Sequence, residues 1–273
     1  MTALHATTYS QNNIIDDEFI LNKGWFLCSS GKVFDNGSQI SSPEYSTKDW
    51  YPTSVPSTVL GTLVNDKIYK DVFVGDNLKN IPSKQFKKPW WYRTEFYLSQ
   101  MKDDKFIKLK FEGINYRANI WLNGKFVADS SKAAGAYRMS EFDVTKIIKR
   151  RGKNILAVEV FPPKKGEPAI GFVDWNPSPS DNNMGIWRPV KLKFCGDVSI
   201  NYPFVQSKVD AEKFKTAKLT VSAELENYSN KKVSGVLTGE IGEIKFSRNI
   251  NLEALEKRLI SFTPGDFKQL IIT

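Results

Sequence analysis

The sequence predicts an all-β protein of two consecutive β-sandwich domains, and three observations predict it. Short runs of alternating or continuous apolar residues recur from Glu18 to about Phe194, each broken by Gly, Pro, Asn or Asp. Segments with helical periodicity are scarce over the same span. A composition break then falls around Cys195 to Pro203, after which the aromatic density drops and a second series of strands begins.

Taken in chain order, the opening residues up to Asn13 are polar and unpatterned, and are expected to form a loose terminus carrying the sole histidine, His5. Phe106 to Phe111 sets Ile107, Leu109 and Phe111 against Lys108 and Lys110, the alternation of a half-buried strand. The run Asn119 to Val127 contains Asn123-Gly124, a dipeptide that supplies the two positive φ angles of a type I′ turn, so it predicts a hairpin. Ile155 to Phe161 is apolar on both faces, as in a strand buried at the middle of a sandwich. Pro189 to Phe194 alternates again, with Val190, Leu192 and Phe194 inward.

In the second series, Leu219, Val221, Ala223 and Leu225 alternate, a turn follows at Asn227 to Asn230, and strands are expected at Lys232 to Gly239, Glu243 to Asn249 and Arg258 to Thr263. This spacing reads as an immunoglobulin-like sandwich. Four or five strands fit there, against about seven in a full domain of that kind, so the second domain is expected to be incomplete. The domain expectation is a flexible 1–15, a first sandwich over 16–198 and a truncated second over 199–273.

Composition narrows the function classes. The chain has 273 residues, with 41% hydrophobic and 13% aromatic side chains, enough for packed cores. Its net charge of +9 is scattered, and lysines such as Lys108, Lys110, Lys191 and Lys193 alternate with apolar residues, which reads as solvated strand faces rather than a nucleic-acid surface. Two cysteines, Cys28 and Cys195, are too few for a structural zinc site, and leave open a disulfide or two buried thiols. One histidine in a loose tail disfavours a Ser-His-Asp triad or a histidine-rich metal centre, and no metal or cofactor is expected. No apolar run of about 18 residues spans a membrane. The start also lacks the basic and apolar regions of a signal peptide, so the protein is either cytoplasmic or has a leader absent from this sequence.

Four segments in order then carry a resemblance: Trp90-Trp91-Tyr92-Arg93-Thr94-Glu95-Phe96, Phe111-Glu112-Gly113-Ile114-Asn115-Tyr116, Ile120-Trp121-Leu122-Asn123-Gly124-Lys125 and Gly185-Ile186-Trp187-Arg188-Pro189-Val190. Together they resemble the amino-terminal sugar-binding domain of glycoside hydrolase family 2, a galactose-binding-like jelly roll followed by an immunoglobulin-like domain. The stretch Phe172-Val173-Asp174-Trp175-Asn176-Pro177, leading to Met184-Gly185-Ile186-Trp187-Arg188, is most similar to the exo-β-D-glucosaminidase branch, and β-mannosidases carry a comparable Asp-Trp pair.

The resemblance implies a retaining, exo-acting glycosidase whose two catalytic glutamates lie on a (β/α)₈ barrel. A barrel of that kind needs about 250 residues, and is absent from this chain, so the chain alone is expected to be inactive. The front domain would instead wall the sugar pocket through Asp174, Trp175 and Asn176, with Asn77 as a further contact. The expected partners are a terminal β-linked sugar, glucosamine first, and the missing barrel; family habit implies the periplasm or secretion. Read from residue chemistry alone, Asp174 is a turn residue ahead of Pro177, Trp175 a core aromatic and Asn77 a turn asparagine. Trp90, Trp91, Trp121 and Trp187 read as core packing, and Arg93 with Glu112 as a structural pair. The competing functions are a free-standing carbohydrate-binding module and an adhesive β-protein.

Overall fold

The structure, a computed structural model, describes residues 14–15, 18–98, 106–171, 175 and 177–273. The terminal segment with His5, and the candidate residues Asp174 and Asn176, lie outside the described residues. Two compact units are present, with the boundary between Phe194 and Cys195.

The first unit is built from β1 (Ile14–Ile15), β2 (Glu18–Ile20), β3 (Trp25–Ser29), β4 (Tyr51–Thr53), β5 (Ser57–Thr58), β6 (Trp90–Leu98), β7 (Phe106–Phe111), β8 (Arg117–Leu122), β9 (Lys125–Ala128), β10 (Ser140–Asp143), β11 (Gly152–Phe161), β12 (Gly185–Ile186) and β13 (Val190–Cys195). Two short helices, α1 (Gly37–Ile40) and α2 (Val59–Asn65), interrupt the strands. A five-stranded sheet runs β1-β2-β13-β7-β10, a six-stranded sheet runs β4-β3-β6-β11-β8-β9, and β5 pairs with β12 apart from both.

Strand periodicity explains how the two sheets share one core. From the five-stranded sheet Phe19, Ile107, Leu109, Phe111, Val190, Leu192 and Phe194 point inward; from the six-stranded sheet Tyr92, Phe96, Ile120, Leu122, Leu156 and Val158 meet them. The β8–β9 hairpin has the predicted two-residue turn: Leu122 pairs with Lys125, and Asn123 and Gly124 take φ of 52° and 77°. β11 is central, between β6 and β8, and its apolar run is buried on both faces.

That second face exists because the outer side of the six-stranded sheet is also covered. Trp90 and Trp91 are adjacent and so point oppositely, Trp90 into the main core and Trp91 into a second cluster with Cys28, Ile40, Trp50 and Ala157. Arg93, 1% exposed, fastens this cover. Its Nε donates to the Ile40 carbonyl at 2.8 Å, and Nη2 donates to the Ser42 carbonyl at 3.1 Å and to Glu95 Oε1 at 2.8 Å. The expected Arg93–Glu112 pair is therefore wrong. Arg93 points outward from one sheet, while Glu112 follows β7 in the other and pairs with Lys191 at 2.9 Å. Of the four tryptophans read as core, Trp90 and Trp91 are buried, whereas Trp121 and Trp187 are half-buried. Cys28 and Cys195 are buried thiols, not a disulfide.

The second unit contains β14 (Val198–Val209), β15 (Ala217–Asn227), β16 (Val233–Ile241), β17 (Ile244–Leu252), β18 (Lys257–Phe262) and β19 (Ile271–Ile272). β14, β15 and β18 form a sheet in that order with β19 also on β15, and β16–β17 is a hairpin opposite them. Leu219, Leu225, Leu237, Phe246, Ile250 and Phe262 close the core between the two layers. The composition break at Cys195 to Pro203 is thus no linker. It falls largely in β14, whose register shifts between Asn201 and Phe204 and whose last eight residues are exposed, so no alternation marks it as a strand.

Candidate functional site

One end of the first unit is formed by the connection from β11 to β12 and by the loop around residues 71–81. Both are irregular, so their backbone polar groups need partners other than a sheet ladder. For the β11–β12 connection those partners converge on Asn115, in the Phe111–Tyr116 segment.

Asn115 is fully buried, and its side chain grips both limbs of the β11–β12 connection. Its Nδ2 donates to the carbonyls of Asn182 and Asn183, each at 2.9 Å. Its Oδ1 accepts the Ile170 amide at 3.3 Å. The Asn115 backbone exchanges two further bonds with Gly185, 2.9 Å in each direction. Below this clamp, Glu167 on the ascending limb forms an ion pair with Arg117.

The descending limb docks on α2 in turn. Asp181, 1% exposed, accepts the Leu60 amide at 2.8 Å through Oδ2 and the Asn183 amide at 2.9 Å through Oδ1, while Val59 donates to the Met184 carbonyl at 2.8 Å. The Thr58 side chain accepts from the Gly61 amide at 3.0 Å, so the first turn of α2 is capped by its own N-cap residue and by the loop together. Burial pushes the Asp181 carboxyl above its ordinary range, against the pull of those amides. Its oxygens are turned to main chain, which makes Asp181 a fastener for the loop rather than a group aimed at a ligand.

The clamp holds the loop that carries Trp175, and Trp175 is 84% exposed. This rules out the core-aromatic reading of that residue. An indole left in solvent on a loop whose base is tightly bonded would cost little to order against anything that bound it. Asp174 and Asn176 flank it in sequence, outside the described residues.

The 71–81 loop lies against the same connection, because Ser180 Oγ donates to the Ile81 carbonyl at 3.0 Å. Val72 and Ile81 anchor that loop in the core, and Phe73 between them in the turn is exposed. Asn77 is exposed too, but its Nδ2 donates to the Asp71 carbonyl at 2.9 Å and its backbone amide to the Val74 carbonyl at 3.2 Å. The turn reading of Asn77 therefore describes what its side-chain amide does. Asp76 next to it is held below the ordinary carboxylate range by Lys79, 2.7 Å away.

Sequence reasoning named the loop tip and missed its supports, Asn115, Ser180, Asp181 and Gly185. One signal was available. The consecutive asparagines Asn182 and Asn183 both take positive φ, 49° and 57°, a conformation for which asparagine is the usual non-glycine choice.

Comparison with known proteins agrees with this architecture. The family model described as glycosyl hydrolase 2 galactose-binding domain-like matches residues 36–169. An exo-β-D-glucosaminidase of Streptomyces avermitilis is 35% identical over 252 residues, covering 92% of this chain and 27% of its own length. One from Hypocrea jecorina is 36% identical over 250 residues, 88% of this chain and 28% of its own. A crystal structure of an Amycolatopsis orientalis exo-chitosanase superposes with a TM-score of 0.78 at 32% identity, over 88% of this chain and 28% of that one. The chain thus spans little more than a quarter of the length of the relatives it matches. Through residues 36–169 the chain matches the galactose-binding-like domains of glycoside hydrolase family 2, and its two-sheet sandwich agrees with that match.

Proposed function

We propose that this chain is the non-catalytic front part of a longer retaining, exo-acting glycoside hydrolase that releases terminal β-linked glucosamine from oligosaccharides. The observation that carries the reading is the loop clamped by Asn115 and tipped by the exposed Trp175, in a chain similar over about nine-tenths of its length to exo-β-D-glucosaminidases. In this reading the indole of Trp175 lies on the apolar face of the terminal pyranose, and Asp174 meets the sugar's ammonium group. Asn176 contributes hydrogen bonds to hydroxyls, and Asn77 borders the pocket from the neighbouring loop.

The two catalytic carboxylates are assigned to a part of the protein beyond this sequence, on a (β/α)₈ barrel that the loop end would face. A periplasmic or secreted setting fits a polymer-degrading enzyme of this kind. Among the described residues no helix is long and apolar enough to cross a membrane.

The test is hydrolysis of nitrophenyl β-glycosides by this chain and by its longer reading frame, with glucosaminide, mannoside, galactoside and glucuronide compared. The proposal expects turnover only by the longer protein and fastest on the glucosaminide. Turnover by the 273-residue chain, or a preference for another sugar, refutes it.

A further inference from the structure

The outer face of the six-stranded sheet carries a cleft that the loop end does not use. Its floor follows the pairing register. Trp91 on β6 sits opposite Glu159 on β11, and Glu159 sits opposite Asn119 on β8, so the three side chains form one row across the sheet. In the next row Arg93, Ala157 and Trp121 are opposite one another, and the small, fully buried Ala157 packs in one cluster with the Trp91 and Trp121 indoles. Ser30, Val33, Asp35, Asn36, Gly37 and Pro89 form the walls of this cleft, which is open to solvent and has a volume of about 540 Å³.

The chemistry of the cleft runs against that of the chain. The protein carries a net charge of +9, yet the cleft is lined by the carboxylates of Asp35 and Glu159 and by no lysine or arginine. Glu159 is half-buried, and its one hydrogen bond among the described residues comes from Asn119 Nδ2 at 3.1 Å. Asn119 Oδ1 in turn accepts the Ser130 amide at 2.9 Å, which fixes the orientation of the amide. Burial pushes the Glu159 carboxyl above its ordinary range, and no neighbouring cation offsets this. A half-buried carboxylate in an open cleft, with a neutral amide as sole partner, leaves lone pairs directed at whatever enters.

Trp91 and Trp121, with ring centroids 5.3 Å apart, supply apolar wall. Neither offers a stacking face, because Trp91 is buried and Gly37 packs on the Trp121 ring so closely that a Cβ there would lie 2.1 Å from it. The lining therefore suits a compact body carrying a cation better than a flat ring. Among the described residues no group of three metal-ligating side chains exists, which argues against a metal ion as the occupant.

We infer that the cleft bounded by Trp91, Glu159, Asn119 and Asp35 is a second saccharide site, separate from the Trp175 loop, that binds one residue of an amino-sugar chain with its ammonium group on Glu159. The choice of a sugar over another ammonium-bearing polyol rests on the proposed function; the cleft and its charge do not. Such a site would hold a polymeric substrate at a distance from the point of cleavage, adding affinity through a second contact on the same chain.

The experiment is a titration of the 273-residue chain, labelled with ¹⁵N at its seven indoles, with a β-1,4-linked glucosamine trisaccharide and with its N-acetylated counterpart. The inference expects saturable shifts of the Trp91 and Trp121 indole signals, with the N-acetylated sugar binding about ten-fold more weakly because the ammonium charge is gone. Glu159→Gln keeps the size and the acceptor for Asn119 and should weaken the amino sugar about ten-fold at these two signals. Asp35→Asn, at an exposed position, should weaken it about two-fold. Unmoved Trp91 and Trp121 signals, shifts confined to Trp175, or equal affinity in Glu159→Gln would overturn the second site. None of those results touches the proposed hydrolysis, which is read from turnover by the longer protein.

Discussion

Replacing Asn115 with alanine removes a side chain that bonds to both limbs of the Trp175 loop. Three bonds disappear, to the carbonyls of Asn182 and Asn183 and from the amide of Ile170. At about 0.5–1.5 kcal/mol for each, with the long Ile170 contact at the lower end, the loss is about 1.5–3.5 kcal/mol. Solvent can reach the freed loop groups once the loop lifts, so the penalty should appear as local opening before it appears as global unfolding. Two readouts separate these. All seven tryptophans precede Val190, so urea unfolding followed by indole fluorescence reports the first unit alone. Amide exchange of residues 182–185 and 170 reports the loop. The expected result is a loss of about 1.5–3.5 kcal/mol of protection at those amides. A loss below about 1 kcal/mol, with those amides exchanging as in the parent, would refute the claim that Asn115 holds the site together.

Gly185→Ala should be more severe, because its Cβ would lie 2.6 Å from the Ser57 carbonyl oxygen and 2.7 Å from Thr58 Cα, backbone atoms already paired with this strand, at a φ of 154°. Overpacking and backbone strain together predict about 3–5 kcal/mol of destabilisation by urea unfolding. Arg93→Ala strips two carbonyls and Glu95 of their buried partner and should cost about 3–5 kcal/mol, read as a lowered fluorescence-detected midpoint; a surface-like effect below about 1 kcal/mol contradicts its role as fastener. The Asp181 carboxyl, raised by burial, holds its proton more tightly folded than unfolded. Its contribution therefore favours the folded state as pH falls toward the ordinary value of 3.8, and that gain is lost as pH rises through the folded value. Asp181→Asn should flatten this part of the stability profile, and an unchanged profile would show that the shift is not there.

The parts of the fold that were legible share a property: the residues that encode them are local. Asn123-Gly124 carries its own turn, and the alternation in β7 and β13 reports the single core each faces. The runs from residue 30 to 89 were not legible, since α1 and α2 are short and are held in place by distant groups, α2 by Asp181 and the end of α1 by Arg93. β14 was hidden because an exposed edge strand has no reason to alternate. At the site, Trp175 could be named from sequence, but Asn115 stands some sixty positions before it, and only the folded chain brings them to one loop. The outer cleft left one trace, a lone Glu159 in the otherwise apolar 155–161 run, whose meaning depended on the unpredicted cover of the second face.

The proposed role, a sugar-contacting loop lent to a glucosaminidase, is tested most directly by kcat/KM of the longer protein on a nitrophenyl β-glucosaminide with Asp174→Ala. Loss of a charged contact to the substrate ammonium predicts a fall of about 1.5–3 kcal/mol in transition-state stabilisation, roughly ten- to 150-fold in kcat/KM. A value unchanged within two-fold, in a variant that folds as the parent does, would contradict it.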